Sequence, residues 1–415
     1  MERNMFKEIK DELTKDILPY WQQFAKDKDN GGFYGAISNA NKGNPKEWRG
    51  IVMVSRFLWT YSAAARLLKK ESYLKMADYA HKYMMKAFYD WQYGGMFWSV
   101  TPEGTPLVAR KQIYGDAFSI YALSEYAAAV KEIRKDSLAA ETAMEQALSV
   151  FDKLEKFAYD EVYGGYMEAL SRDWQPTEDT KLSDKDIDCA KSMNTNLHVM
   201  EAYTNLYRTL PVVFPEKKPE RRAVGRALQN LVEVHLHKIL ANGYHLTLYF
   251  DKNWKPTGPR EISYGHDIEA SWLLWEAACE LKNLELKKEV KPVAIKIAEL
   301  SLLEGFDPET GGFENTMDEN GVKDSTRIWW NQAEALNGFY NAWQMTGDEE
   351  FRTATEKVWN WIMTSQKNTE NGEWWWAVSA TGKPAKREVK GGNWKTSYHN
   401  ARCCMELLRR NGEEL

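Results

Sequence analysis

Six copies of a glycine-centred turn, each set between short aromatic segments and followed by helical sequence, confine this chain to a repeating, helix-rich architecture. The copies are DNGGFYGAIS at Gly31, YGGMFWSVTPEG at Gly94, YGGYMEALSRDW at Gly164, NGYHLTLYFDKNW at Gly243, TGGFENTMDENG at Gly311 and NGEWWWAVSATG at Gly372. Successive glycines stand 63, 70, 79, 68 and 61 residues apart, room for two helices and a hairpin in each interval. One helix of each pair is strongly apolar, with apolar residues at three- and four-residue spacing: 51–68, 116–133, 196–210, 267–281, 331–345 and 400–410. Several of these are apolar nearly all round, as an inner helix buried on most sides requires. The partners, such as 73–88 and 351–366, are more amphipathic and suit an outer layer. Twelve such helices either stack as an open solenoid or close into a ring. No terminal repeat is an obvious polar cap, so the expectation is an all-α (α/α)6 barrel with short β-hairpins at one end. A single catalytic domain then spans residues 1–415.

Composition removes several classes of function. The net charge of −5 with interspersed signs gives no basic face for nucleic acid. No apolar run is long enough to span a bilayer, and MERNMFKEIKDEL lacks the apolar core of a signal peptide. Four cysteines without C-x-x-C spacing suggest a reduced, cytoplasmic protein with neither a zinc ribbon nor a redox pair. The chain carries 18 Trp and 21 Tyr, several beside the glycine turns, and such rings stack on sugar faces while offering a polar edge. The expected partner is therefore a small carbohydrate, with no nucleic acid and no membrane, and the chain is expected as a monomer or weak homodimer.

When the inner helices are aligned by their distance from the preceding glycine, unusual residues fall at similar places: Arg56, Tyr114, His198, His266, the Trp330–Asn331 pair and His399. His198-Val-Met-Glu201, His266-Asp-Ile-Glu269 and Asn331-Gln-Ala-Glu334 share a frame ending in glutamate. In a closed ring these positions converge on the axis. Arg56 is the only charge between Ile51 and Ala65, costly on an apolar helix unless paired or facing a wet cavity. Taken singly, such an arginine is as readily structural, and a lone histidine is more often so. His266 and His399 each begin a helix, whose positive end keeps an imidazole neutral and fit for acid–base work. His198 shares a helix face with Asn194 and Glu201, and the same spacing is expected to set Glu269 beside His266 to orient its ring. Two H-x-x-E pairs raise a dinuclear metal centre as a rival, but such centres use E-x-x-H and need further carboxylates. Neither metal nor other cofactor is expected. His81, His235, His237 and His245 read as structural or surface residues.

The stretches KSMNTNLHVMEAYTNLY (191–207), ISYGHDIEASWLL (262–274), RIWWNQAEALNGFYNAW (327–343) and NWKTSYHNARCCMELL (393–408) resemble the N-acylglucosamine 2-epimerase superfamily, most closely its cellobiose 2-epimerase branch. The resemblance covers essentially the whole chain. It implies the (α/α)6 barrel, metal-free chemistry, and His266 and His399 as acid and base on the two faces of a sugar C2. It further implies that His198 and Arg56 hold sugar oxygens, that Trp394 and one of Trp329 or Trp330 stack on substrate, and that Asn194 and Tyr114 line the pocket, with Glu269 and Glu334 beside them. The reaction implied converts glucose to mannose configuration at the reducing end of a β-1,4-linked disaccharide, cellobiose to glucosyl-mannose, through ring opening and an enediolate. Aldose–ketose isomerases and N-acetylglucosamine 2-epimerases of the same superfamily use closely similar histidines and stay open as alternatives. Outside it stand a glycoside hydrolase on the same ring, with acids among Asp116, Glu269 and Glu334, and a non-catalytic carbohydrate-binding protein.

Overall fold

The computed structural model describes residues 3–184, 186–240 and 244–412, so the expected turn at Gly243 lies outside the described residues. Six inner helices, Ile51–Leu68, Ile113–Ala129, Met193–Val213, Tyr264–Leu281, Trp329–Thr346 and Tyr398–Asn411, run around a common axis. Each packs on the next, and the last packs on the first. Their composition explains their place: every residue of Ile113–Ala129 is buried, which an amphipathic helix would not tolerate. Outside them lie Leu74–Tyr83, Ser137–Lys153, Lys218–Val234, Leu284–Leu300 and Glu349–Trp361, with the N-terminal helices Arg3–Asp11 and Leu18–Phe24 taking the sixth place. Five outer helices end in a widened π turn, as where Tyr89 N–H reaches Met84 O and Tyr159 N–H reaches Leu154 O. Among the described residues no helix is long and apolar enough to cross a membrane.

Ring closure is visible in the strands. Each two-residue strand that enters an inner helix pairs with the strand of the following repeat: Arg49–Gly50 with Ser99–Val100, Lys111–Gln112 with Ala169–Leu170, Lys191–Ser192 with Tyr249–Phe250. Ile262–Ser263 pairs with Thr316–Met317 and Arg327–Ile328 with Ala377–Val378. The circuit ends where Gly391–Gly392 pairs antiparallel with Ala36–Ile37 of the first repeat. The strands therefore join neighbouring repeats as well as forming the expected hairpins, in which Ser99–Val100 pairs with Pro106–Val108 and Thr316–Met317 with Lys323–Asp324. Isolated bridges such as Tyr89 to Met96 close the described glycine turns.

The turns share one construction. An acidic or amide side chain opens each of the five turns that lie within the described residues: Asp90 Oδ1 accepts from Gln92 and Tyr93 N–H, and Asp160 Oδ1 from Val162 and Tyr163 N–H. Asp27, Asp307 and Asn368 do the same in their repeats. A cation from the following strand then seals the acid, Arg49 on Asp27 at 2.6 Å, Lys111 on Asp90 at 3.0 Å, Lys191 on Asp160 at 2.8 Å and Arg327 on Asp307 at 3.2 Å. A side chain on the inner helix pins the turn from the other side. Asp116, Asn196, Asp267 and Gln332 accept the backbone N–H of Met96, Tyr166, Leu246 and Phe313 at 2.8 to 2.9 Å.

Candidate active site

These four pins give a register that does not depend on glycine spacing. Counted from them, His266 is equivalent to Asn331, but His198 is equivalent to Glu269 and Glu334, one turn deeper along its helix. The alignment of His198 with His266 by glycine spacing is thus corrected, for the turn-to-helix connection of the third repeat is longer. The residues nevertheless meet. Arg56 donates from Nη2 to the Tyr114 hydroxyl at 3.2 Å and from Nη1 to the Trp394 carbonyl at 2.6 Å. The Tyr114 ring stands 5.0 Å from that of His198 and 6.4 Å from that of Trp394. Trp330 lies 4.8 Å from the His266 ring and 5.7 Å from the His399 ring, in contact with both. Trp329 is buried and packs on Trp376 at 4.5 Å, so of the adjacent tryptophans it is half-buried Trp330 that faces both imidazoles. That approach needs Gly265, whose added Cβ would meet Trp330 at 2.6 Å. Asn194 is half-buried at the same mouth, in a cavity of about 50 Å³ shared with His266 and Tyr249, with its Oδ1 unpartnered. Asn331 spends its amide on the turn before it, donating to Glu314 O and Asn315 Oδ1 at 3.2 Å.

All three histidines are held by Nδ1, which makes Nε2 the nitrogen each offers. His198 meets Glu201 Oε2 at 2.8 Å, His399 meets Glu334 Oε1 at 2.7 Å, and His266 meets Ser263 Oγ at 2.7 Å. The expected pairing of Glu269 with His266 is therefore not formed. Ser263, at the position before the first helical turn, takes that role, while Glu269 turns to Arg402. Burial lowers the His266 pKa to about 3, with His198 adding to it, and burial followed by Arg56 and Arg402 holds His399 well below the ordinary imidazole range. Both do begin helices, at the second residue after Tyr264 and the first after Tyr398. Desolvation nonetheless supplies the larger effect.

Arg402 is the functional residue that sequence reasoning missed. Its guanidinium is fully buried, bonded to Glu201, Glu269 and Glu334 and to the Tyr398 hydroxyl. The signal for it is the one that singles out Arg56: a lone charge in an apolar run, here between Ala401 and Cys403. Glu269, Glu334 and His399 are close enough together to hold a metal ion. Arg402 Nη2 already supplies the positive charge there, bonding both carboxylates, with Glu334 at 2.7 Å. The other histidines are structural or superficial: His81 on Gln146, His235 on the Leu231 carbonyl, His245 on Asp267, and exposed His237 near Glu289.

The profile of the N-acylglucosamine 2-epimerase (GlcNAc 2-epimerase) family matches residues 32–403. The chain is 40% identical to a cellobiose 2-epimerase of Bacteroides fragilis over 409 residues, covering 98% of this chain and all of that protein. It is 36% identical to the cellobiose 2-epimerase of Dictyoglomus turgidum, covering 97% and 98% of the two chains. The solved structure of cellobiose 2-epimerase from Bacillus thermoamylovorans B4167 superposes with a TM-score of 0.88 at 34% identity, over 99% of this chain and all of that one.

Proposed function

The chain belongs to the N-acylglucosamine 2-epimerase family, and on that premise we propose that it is a cellobiose 2-epimerase acting as one catalytic unit. It interconverts glucose and mannose configuration at the reducing end of β-1,4-linked disaccharides. The observation that carries this reading is the pair of low-pKa imidazoles, His266 and His399, both packed against Trp330.

The chemistry follows from that arrangement. The reducing sugar opens first, because only the aldehyde acidifies the hydrogen at C2. One neutral imidazole takes that proton through Nε2, leaving an enediolate whose charge rests on oxygen. Arg56 stands beside the two imidazoles to receive it, at about 3–4 kcal/mol per well-aimed donor, while His198, held through Nδ1, offers Nε2 to accept from a sugar hydroxyl. The negative intermediate raises the proton affinity of the opposite imidazole, which takes a solvent proton and delivers it to the other face of C2. Trp330 and Trp394 supply flat, half-buried surfaces for the sugar, and Tyr114 and Asn194 supply polar edges. No step requires a metal or an organic cofactor.

Proton NMR of the protein with cellobiose in D2O containing EDTA tests this reading. The expected product is glucosyl-mannose carrying deuterium at C2, with His266→Ala and His399→Ala each lowering kcat by about 10²–10⁴-fold. Fructose from mannose with cellobiose untouched would replace the reading by the aldose–ketose isomerase of the same family. Release of free glucose would move the chemistry to the carboxylates.

A further inference from the structure

Beneath the histidines lies a dry, charged layer that the proposed proton transfer does not itself use. Glu201, Glu269, Glu334 and Arg402 are each no more than 4% exposed. Arg402 Nη1 reaches Glu201, and its Nη2 reaches both Glu269 and Glu334. The three acids are not alike. Glu201 also accepts from the Tyr398 hydroxyl and presents Oε2 to His198. Glu334 accepts from Trp272 Nε1 at 3.1 Å and presents Oε1 to His399. Glu269 has Arg402 as its sole hydrogen-bond partner among the described residues.

Two carboxylates that share one donor nitrogen in a water-poor layer cannot both ionise cheaply. Oxygens of Glu269 and Glu334 and a ring nitrogen of His399 all lie within 4.8 Å of one another. The charged or titratable groups facing Glu269 are Arg402, Glu334, His198 and Glu201, with the Tyr114 and Tyr398 hydroxyls beside them, all carried on four other inner helices. Their balance favours ionised Glu201 and Glu334, each of which has a histidine to orient, over Glu269, which has none.

Resting on the epimerase reading, we infer that Glu269 is the protonated member of this layer, and that the remaining Glu201–Arg402–Glu334 array is a positioning device locking His198 and His399 in the Nδ1–H form. Two carboxylates on one guanidinium hold both rings through one rigid centre, so each Nε2 lone pair points at the substrate. Burial, followed by the Glu334 charge, raises the Glu269 pKa to about 7. Burial also works to raise Glu201, but Arg402 and His198 overcome it and hold Glu201 at about 2.

Infrared difference spectroscopy across a pH titration of the wild-type protein, without substrate, tests the charge state whatever sugar is turned over. The difference between wild type and Glu269→Gln is expected to contain a protonated-carboxyl band at pH 6 that fades above neutrality. Its absence would overturn the assignment. Kinetics on the sugar that the wild type turns over test the positioning role. Glu201→Gln and Glu334→Gln are expected to lower kcat at least about 100-fold with little change in KM, since a neutral amide no longer fixes the ring tautomer. Glu269→Gln, which imitates the protonated acid, is expected to lower kcat by clearly less than those two and to remove a near-neutral ionisation from its pH profile. Equal losses in all three variants, with far-UV circular dichroism unchanged, would reduce the array to ordinary packing. Failure to turn over cellobiose, with the infrared band present, would strike the epimerase reading and leave this charge assignment standing.

Discussion

Asp116 carries the same task as Asn196 and Gln332 with different chemistry. Each accepts a turn N–H, but Asn196 and Gln332 also donate, to the Tyr166 and Phe313 carbonyls at 3.3 and 2.8 Å. Asp116 has no amide to donate, and its Oδ2 is buried without a partner. Burial raises its pKa to about 7, with Lys111 opposing. A carboxyl whose folded pKa exceeds its unfolded value binds more protons when folded, so its penalty grows as pH rises from about 4 to 7. Asp116→Asn is therefore expected to stabilise the protein by about 1–3 kcal/mol above pH 7 and by little near pH 4. Urea denaturation at pH 4 and pH 8 measures both, and an equal effect at the two would sink the argument. At this scale the site was partly legible from sequence. A lone charge or imidazole in an apolar helix marks Arg56, His198, His266 and His399, because such residues are costly without a purpose. Which carboxylate serves which ring was not legible, since Glu334 reaches His399 across helices 65 residues apart. Ser263 was likewise hidden, as an N-terminal serine ordinarily caps its own helix.

The unit of construction is the turn with its acid, its following cation and its helix pin. Asp27 and Arg49 are wholly buried and paired at 2.6 Å. Such a pair contributes little beyond its desolvation cost, but breaking it strands a charge. Arg49→Met is thus expected to cost about 3–5 kcal/mol in urea denaturation, and Asp27→Asn added to it should recover part of that loss. A double variant no better than the single would show that Asp27 does not depend on Arg49. The helices were readable because their period spans many residues, and the inner helix 51–68 was found with its observed bounds. The strand pairing between repeats was not, because two residues carry no period and these partners sit in the next repeat.

Closure is the property of the whole molecule. Trp21, on the N-terminal helix Leu18–Phe24, lies 5.4 Å from Phe57 of the first inner helix and donates to Glu373 of the last turn at 3.4 Å. Gly391 leaves room for that indole, since an added Cβ would approach it to 2.2 Å. Trp21→Ala is expected to cost about 3–5 kcal/mol. Because the ring is shared, it should speed amide exchange in Tyr398–Asn411 as well as in the N-terminal helices. Mass-spectrometric exchange confined to the N-terminus would indicate an open array in place of a ring. The number of repeats and their closure were anticipated from six similar turns without polar end caps, although the seam's own partners, first and last in the chain, carry no mutual signal in sequence.

That seam also imposes an order of events. Most neighbours along the ring are neighbours along the chain, so successive repeats can dock as they leave the ribosome, in a vectorial assembly with little long-range search. Ala36–Ile37 must wait for Gly391–Gly392, and Arg402 is delivered only with the last inner helix. Until then Glu201, Glu269 and Glu334 lack their counter-charge, which favours a hydrated, unset axis. The chain completes its pocket in the same step that completes its circle, and a nascent or truncated copy has neither.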